Sequence, residues 1–282
     1  MSAARFTDSL SHDLQYAIDL ARGAGKIVLD YYGKVQRLTK THATTTKEAV
    51  TDADRASQRF IVEGLRRRFP EDGVIGEEND TGSAITFECP NPRGRIWVID
   101  PVDGTNNFVA GLGNFAVCIG LLEKGYPVLG VVFDVTRDQV YSAARGEGAW
   151  LGTRQLRALD TPLGDHAMLM LTSNLIEKAG ACPAWAGRWI AQTDWKIRML
   201  GSAALEAVMV GAGVAHGAIT VNGKLWDAAA AAAIVLEAGG KFTDFKGRPV
   251  FPFDVKNYNG AKVPFVAAGP AAHETLLREL SA

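Results

Sequence analysis

Residues 96–108 read Ile-Trp-Val-Ile-Asp-Pro-Val-Asp-Gly-Thr-Asn-Asn-Phe, an apolar run that stops in two carboxylates, Asp100 and Asp103. The four apolar residues Ile96 to Ile99 predict a short buried strand. Pro101 fixes the backbone between the acids, and Gly104 opens the turn that follows. Two acids at the end of a buried strand repel each other and resist desolvation unless something balances their charge. Oxygen ligands of this kind suit a hard cation such as Mg²⁺. The Gly104 and Thr105 amides beside them suit a phosphate. The competing reading is a polar turn with both acids in water, and for a lone Asp-x-x-Asp it would win. Two further acidic sites in apolar settings weigh against it. Val74-Ile75-Gly76-Glu77-Glu78 is again a short apolar run ending in paired carboxylates. Leu225-Trp226-Asp227 leads into the run Ala228 to Ala233 and then Ile234-Val235-Leu236-Glu237-Ala238-Gly239-Gly240. Asp227 thus stands at the start of a helix, where free amides and the helix dipole stabilise an anion. By itself it reads as an N-cap.

Around these sites the periodicity gives an outline. A first helix is expected from about Ser9 to Tyr32, with Leu10, Leu14, Ala17, Ile18, Ala21, Val28 and Leu29 near helical spacing. A polar loop with Thr44-Thr45-Thr46-Lys47 follows. A second helix starts near Asp52, presents Ala56, Phe60, Leu65 and Phe69 on one face, and stops at Pro70. Strands are expected at 74–76, 96–99, 115–122, 128–135 and 139–143, the last three joined by turns into an antiparallel meander. The second half alternates strands (168–171, 215–221, 241–245, 264–267) with helices (202–210, 226–238, 270–280), which implies an α/β layer arrangement. A soft boundary near Gly148 divides an N-terminal α+β half, 1–148, from a C-terminal α/β half, 149–282.

The chain has 282 residues, 47% hydrophobic, enough for one compact unit or two closely packed domains. Its formal net charge of −1 predicts no attraction to nucleic acid or membranes. Arg66-Arg67-Arg68, the basic run, sits at a helix end, where cations suit the dipole. Cys89, Cys118 and Cys182 are widely spaced with no Cys-x-x-Cys, against a disulfide framework or a thiolate site. His12, His42, His166, His216 and His273 show no zinc-ligand spacing. No apolar signal core and no run of membrane-span length is present, so a cytoplasmic enzyme is expected.

Three separated motifs, in order, resemble the inositol monophosphatase family of Mg²⁺-dependent, Li⁺-sensitive phosphatases. They are Gly76-Glu77-Glu78; Asp100-Pro101-Val102-Asp103-Gly104-Thr105 with Asn107-Phe108; and Trp226-Asp227 with Glu237-Ala238-Gly239-Gly240. Val50-Thr51-Asp52-Ala53-Asp54, Gly201-Ser202-Ala203-Ala204 and the stretch from Gly130 to Ala149 follow the family more loosely. The resemblance spans nearly the whole chain. It implies a five-layer αβαβα sandwich, a homodimer, and two or three Mg²⁺ ions, with Mn²⁺ as a substitute. It also implies a small phosphorylated polyol or sugar as substrate. Glu77, Asp100 and the Val102 carbonyl would hold the first ion, and Asp100, Asp103 and Asp227 the second. A third would involve Glu77 and water. Glu78 would be an outer-shell acceptor for water at the metal. Thr105 would hydrogen-bond the nucleophilic water, and Asp54 would orient Thr105. The Gly104 and Thr105 amides would bind phosphate oxygens, and Gly201, Ser202 and Ala203 would lie against the polyol, beside Asp103 and Asp227.

The chain also departs from the family. Members acting on inositol monophosphate carry a Glu seven residues before the Trp-Asp aspartate, and here that position is Thr220, a shorter and neutral side chain. The family's lysine ahead of the Val-Thr-x-x-Asp element has no clear counterpart, Lys47 being near. Within the superfamily the alternatives are a fructose bisphosphatase, a histidinol-phosphate phosphatase and a phosphoadenosine phosphate phosphatase. The Asp-Gly-Thr-Arg-like loop of some histidinol-phosphate phosphatases is absent. A non-catalytic binding protein on the same fold would be expected to lose a metal carboxylate, yet Glu77, Asp100, Asp103 and Asp227 are all in place.

Overall fold

The structure, a computed structural model, describes residues 3–33, 38–39, 49–50, 52–78, 86–88, 91, 94–173, 175 and 182–281. His42, Lys47, Thr51 and Cys89 lie outside the described residues. The chain runs α1 (Ala3–Tyr31), β1 (Leu38–Thr39), β2 (Ala49–Val50), α2 (Asp52–Arg68), β3 (Gly73–Gly76), β4 (Thr86–Glu88), β5 (Arg95–Asp103), α3 (Thr105–Ala110), β6 (Ala116–Glu123), β7 (Tyr126–Asp134), β8 (Gln139–Ala144), β9 (Gly148–Leu151) and β10 (Arg154–Leu156). It continues through β11 (Met168–Leu171), α4 (Ala184–Gln192), β12 (Lys196–Arg198), α5 (Ala203–Gly211), β13 (Gly217–Thr220), α6 (Leu225–Glu237), β14 (Lys241–Thr243), β15 (Phe265–Ala268) and α7 (Pro270–Ser281).

Strands β10-β9-β8-β7-β6-β5-β3-β4 form one sheet in that order, and β12-β11-β13-β15-β14 form another. The expected meander is present and runs on through β9 and β10, so the first sheet ends at Leu156, past Gly148. Helices α1 and α2 cover one face of the first sheet; α5 and α6 pack between the sheets; α4 and α7 cover the far face of the second. These are the five layers. Three apolar cores fill the gaps between them.

The layers follow from the side chains. Helix α1 buries Leu10, Ala17, Ala21, Ala24 and Val28 along one stripe, as an amphipathic helix on a sheet must. Helix α2 buries Ala53, Asp54, Ser57, Gln58, Ile61, Val62 and Leu65, a face rotated from the expected one. Ala56 is half-buried and Phe60 is exposed, because Ile61 and Leu65 take the core side while the Phe60 ring lies over Gly23 of α1. Helix α6 is apolar all round and buried from Leu225 to Val235 apart from Asp227, as a helix between two sheets has to be. Its alanines let it lie directly on the first sheet. Gly120 and Gly130 pair across β6 and β7. A Cβ on Gly120 would come within 2.8 Å of the Ala230 nitrogen, and one on Gly130 within 2.2 Å of the Ala230 carbonyl oxygen.

Candidate metal centre and active site

Strand β5 does not end at Ile99 as the apolar run suggested but carries both acids. Asp100 pairs with Cys118 and Asp103 with Ala116, so three steps on β5 face two on β6. That extra residue is a β-bulge at Pro101-Val102. It decides the geometry of the site. Residues three apart on a regular strand point to opposite faces, whereas the bulge returns Asp103 to the face that Asp100 occupies. Pro101, which cannot donate to the ladder, is the signal for it. The Val102 amide donates to Asp100 Oδ1 at 3.0 Å, which closes the turn locally.

Both acids point toward the middle helix layer. Asp103 meets the start of α5. It accepts the Ser202 hydroxyl at 2.5 Å, the Ala203 amide at 3.1 Å and the Ala204 amide at 2.8 Å. A helix N-terminus is a ready anion site, and here a carboxylate from the other sheet fills it. Asp227, in the first turn of α6, accepts the Lys224 amide at 2.6 Å. Ligand oxygens of Asp100, Asp103 and Asp227 all lie within 4.8 Å of one another. Burial, then the charges of Glu77, Asp103 and Asp227, push the Asp100 carboxyl well above its ordinary value. Burial also raises Asp103, while its bonds from Ser202, Ala204 and Ala203 oppose the rise. Hard oxygen donors so close, with like charge raising one another's proton affinity, fit a divalent cation of the Mg²⁺ kind.

The other expected residues are placed as follows. Glu77 is half-buried and near enough to act on Asp100. Glu78 is buried, and its backbone is latched to α2: Gln58 Oε1 accepts the Glu78 amide at 2.9 Å, and Gln58 Nε2 donates to the Glu78 carbonyl. Asp54 is buried on α2, three residues before Ser57, whose hydroxyl donates to the Pro101 carbonyl at 3.1 Å. The Thr105 hydroxyl donates to the Val102 carbonyl at 3.0 Å. Gly104 has φ of 94°, the left-handed region, and a Cβ there would approach the Gly201 carbonyl to 3.3 Å. The two halves of the chain therefore touch backbone to backbone at this point.

The geometry adds detail at two of the positions read from the sequence. Ser202 is fully buried and its hydroxyl is engaged with Asp103, so it serves the carboxylate directly, and Gly201 and Ala203 are the half-buried members of the segment. Thr220 is fully buried at the end of β13, and its hydroxyl has no partner among the described residues. Its methyl group faces Gly223, and a Cβ on Gly223 would also approach Asp227 Oδ2 to 3.4 Å. It is shorter than the family's Glu and uncharged.

Asn107 and Glu237, named in the motifs without a role, and Asn114 and Glu206, not singled out, make further contacts around the site. Asn107 Nδ2 donates to the Asn114 carbonyl at 2.8 Å and the Leu200 carbonyl at 2.7 Å, and Asn114 Nδ2 donates to the same Leu200 carbonyl at 2.8 Å. Glu237 Oε2 accepts the Gly146 and Gly148 amides at 3.0 and 3.1 Å, tying the end of α6 to the β8–β9 turn. Glu206, a lone acid in the apolar helix α5, accepts the Leu200 and Gly201 amides at 2.6 and 3.0 Å. Burial pushes its carboxyl up to about 8 against the pull of those two amides, with Asp103 adding to the rise.

Comparison with known proteins agrees with the cage. A fructose-1,6-bisphosphatase/inositol-1-monophosphatase of Thermotoga maritima is 35% identical over 248 residues, 87% of this chain and 89% of the relative. A histidinol-phosphatase of Mycobacterium tuberculosis is 34% identical over 280 residues, 97% of this chain and 100% of the relative. The solved structure of a Thermotoga maritima IMPase superposes with a TM-score of 0.81 at 31% identity, covering 96% of this chain and 97% of that one. The model of the inositol monophosphatase family matches residues 9–282. With its acids gathered on one bulged strand and one helix start, in the family's order and on the family's fold, the chain belongs to the inositol monophosphatase family.

Proposed function

We propose that the chain is a Mg²⁺-dependent phosphomonoesterase that hydrolyses inositol monophosphate or a similar small polyol or sugar phosphate, with water as nucleophile. The observation that carries this reading is the convergence of Asp100, Asp103 and Asp227, with Glu77 near enough to act on Asp100. Glu77, Asp100 and the Val102 carbonyl are assigned to one ion; Asp100, Asp103 and Asp227 to a second; Glu77 to a third. Ions held there neutralise phosphoryl oxygens, make water more acidic and stabilise the leaving alkoxide.

The chain's own groups do the rest. The proton of the Thr105 hydroxyl is engaged with the Val102 carbonyl, which leaves the Oγ lone pairs free to accept from a water and aim it. Asp54 orients Thr105, and Glu78 accepts from water farther out. The amides of Gly104 and Thr105 hold phosphate oxygens. Ser202 and the start of α5 hold Asp103 in one orientation, and Gly201 and Ala203 present the surface against which the polyol rests. The acidic wall, with no His, Cys or Ser nucleophile constellation read from the sequence, favours direct displacement by water over a covalent route.

A second reading is histidinol phosphate as substrate. It is favoured by the alignment that covers the whole of the histidinol-phosphatase relative and by buried Thr220, which offers an inositol ring no charged acceptor. The test is a panel of inositol 1-phosphate, fructose 1,6-bisphosphate, histidinol phosphate and glycerol phosphate, assayed with Mg²⁺, with Mn²⁺, with added Li⁺ and with chelator. Hydrolysis should vanish on chelation, return with either ion and fall with Li⁺. Full activity in excess chelator refutes the reading. A kcat/KM for histidinol phosphate far above the others replaces the first substrate class by the second. The homodimer implied by the resemblance and the cytoplasmic location expected from the sequence belong to this same reading; light scattering checks the first.

A further inference from the structure

We infer that Glu206 is a positioning residue for the metal centre, acting through the turn at residues 200–202 on Asp103. The inference rests on the metal-site reading above, and neither the motifs nor the relatives assign Glu206 a role. Its carboxyl sits in the first turn of α5, 1% exposed, in a helix otherwise made of Ala, Leu, Val, Met and Gly. One oxygen, Oε1, takes both the Leu200 and the Gly201 amides. The other, Oε2, is buried with no partner among the described residues. An acid in such a place is a cost to the fold, since an apolar side chain would pack there without desolvation. What the carboxyl does at that site is fix two successive amides of one turn.

That turn is where the two halves of the active site meet. The Leu200 carbonyl accepts the side-chain amides of Asn107 and Asn114, which follow the bulged strand β5. Gly201, at φ of 82°, lies so close to Asn107 that a Cβ would approach its Nδ2 to 2.9 Å. The next residues, Ser202, Ala203 and Ala204, deliver the three donors that hold Asp103. Glu206 pins the turn from the helix side, and the two asparagines pin it from the strand side. Without Glu206 the amides of 200 and 201 lose their acceptor, the turn relaxes, and the three donors no longer converge on Asp103. Groups that orient a metal ligand in this indirect way typically contribute tenfold or more to affinity.

The test reads Mn²⁺ binding to the full chain by electron paramagnetic resonance, without substrate, beside thermal melts in chelator. Glu206→Ala should weaken Mn²⁺ binding about tenfold or more. Glu206→Gln, whose amide oxygen accepts the same two amides, should stay within about threefold of the parent, a difference well under one pair of hydrogen bonds. Glu206→Asp, shortened by one methylene, should behave like the Ala variant and serves if that variant does not fold. Unchanged Mn²⁺ affinity in the Ala or Asp variant, whatever its melting temperature, overturns the inference, because a simple helix cap would lower only stability. A Gln variant as weak as the Ala variant also overturns it. A parent chain that binds no Mn²⁺ refutes the metal-site reading itself, an outcome distinct from the other two.

Discussion

Neutralising one buried acid should make the metal-free protein more stable and the enzyme useless. In Asp100→Asn a carboxylate crowded by Glu77, Asp103 and Asp227 becomes an uncharged amide of the same shape. Two carboxylates no more than 4.8 Å apart repel by about 3.5 kcal/mol or more at an effective dielectric constant of about 20 if both are ionised. Proton uptake relieves part of this, so a gain of about 1–3 kcal/mol at pH 8 is expected. The bond from the Val102 amide survives, because the Asn oxygen still accepts it. For 282 residues, an unfolding entropy of about 2.1 cal/mol/K per residue converts this to a rise of about 2–5 °C in melting temperature. Asp103→Asn should do the opposite. Its two oxygens serve three donors, and an amide nitrogen turned toward any of them costs about 1–3 kcal/mol. Thermal melts of the three proteins in chelator, then with Mg²⁺, decide the matter. The parent should gain stability with Mg²⁺ by mass action, and both variants should gain far less. An Asp100→Asn protein that melts below the parent in chelator, or that responds to Mg²⁺ as the parent does, refutes the argument that these acids are held together at the expense of the fold.

Glu206 sets a pH dependence. Its folded value of about 8 lies above its ordinary 4.5, so between those limits the unfolded chain binds fewer protons and stability falls as pH rises. The contribution is at most about 5 kcal/mol across the window, and denaturant midpoints against pH should flatten in Glu206→Gln; an unchanged slope counts against the assignment. Thr105→Ala should lower kcat by about tenfold to a thousandfold while Mn²⁺ binding changes little, and equal turnover would remove Thr105 from the mechanism. Ser202→Ala removes the hydroxyl that bonds Asp103 and caps α5, and should destabilise the protein by about 1–3 kcal/mol in urea melts. Gly130→Ala should be worse than an ordinary surface glycine change, by about 1–3 kcal/mol, because its methyl meets the Ala230 carbonyl; a neutral result would mean α6 can lift off the sheet.

Much of this site was legible because its acids end apolar runs or begin an apolar helix, settings in which a charge needs a reason. Glu77, Asp100, Asp103 and Asp227 declared themselves that way, and the alanine run of α6 announced a helix. What escaped was information held across the fold. The bulge at Pro101-Val102 shows only when β5 is paired with β6, although a proline inside a strand was its hint. The donors on Asp103 come from a helix 99 and more residues away, and no local pattern points to them. Phe60 looked like a core residue because its spacing fits a helical face; the actual face is set by which side chains meet β5 and α1. Glu206 had a signal, a single acid in Ala203–Gly211, and reads as a helix-turn charge until the turn before it is seen. Thr220 was read from its spacing to the Trp-Asp motif, and its complete burial at a strand end could not be seen from that spacing.

The contact between α6 and the Gly120–Gly130 pair works as a gauge block. Asp100 and Asp103 ride on the sheet, and Asp227 rides on the helix, so the spacing of the ion cage is the spacing of those two bodies. With alanine on one side and no side chain on the other, that distance is set by main chain against main chain and has no soft part to absorb error. A methyl group added far from any ligand would therefore act as a shim, widening the cage without touching a single acid. Changes of substrate in such a framework have to be made in the loops around the rim, because the seam that gauges the cage has no slack to lend.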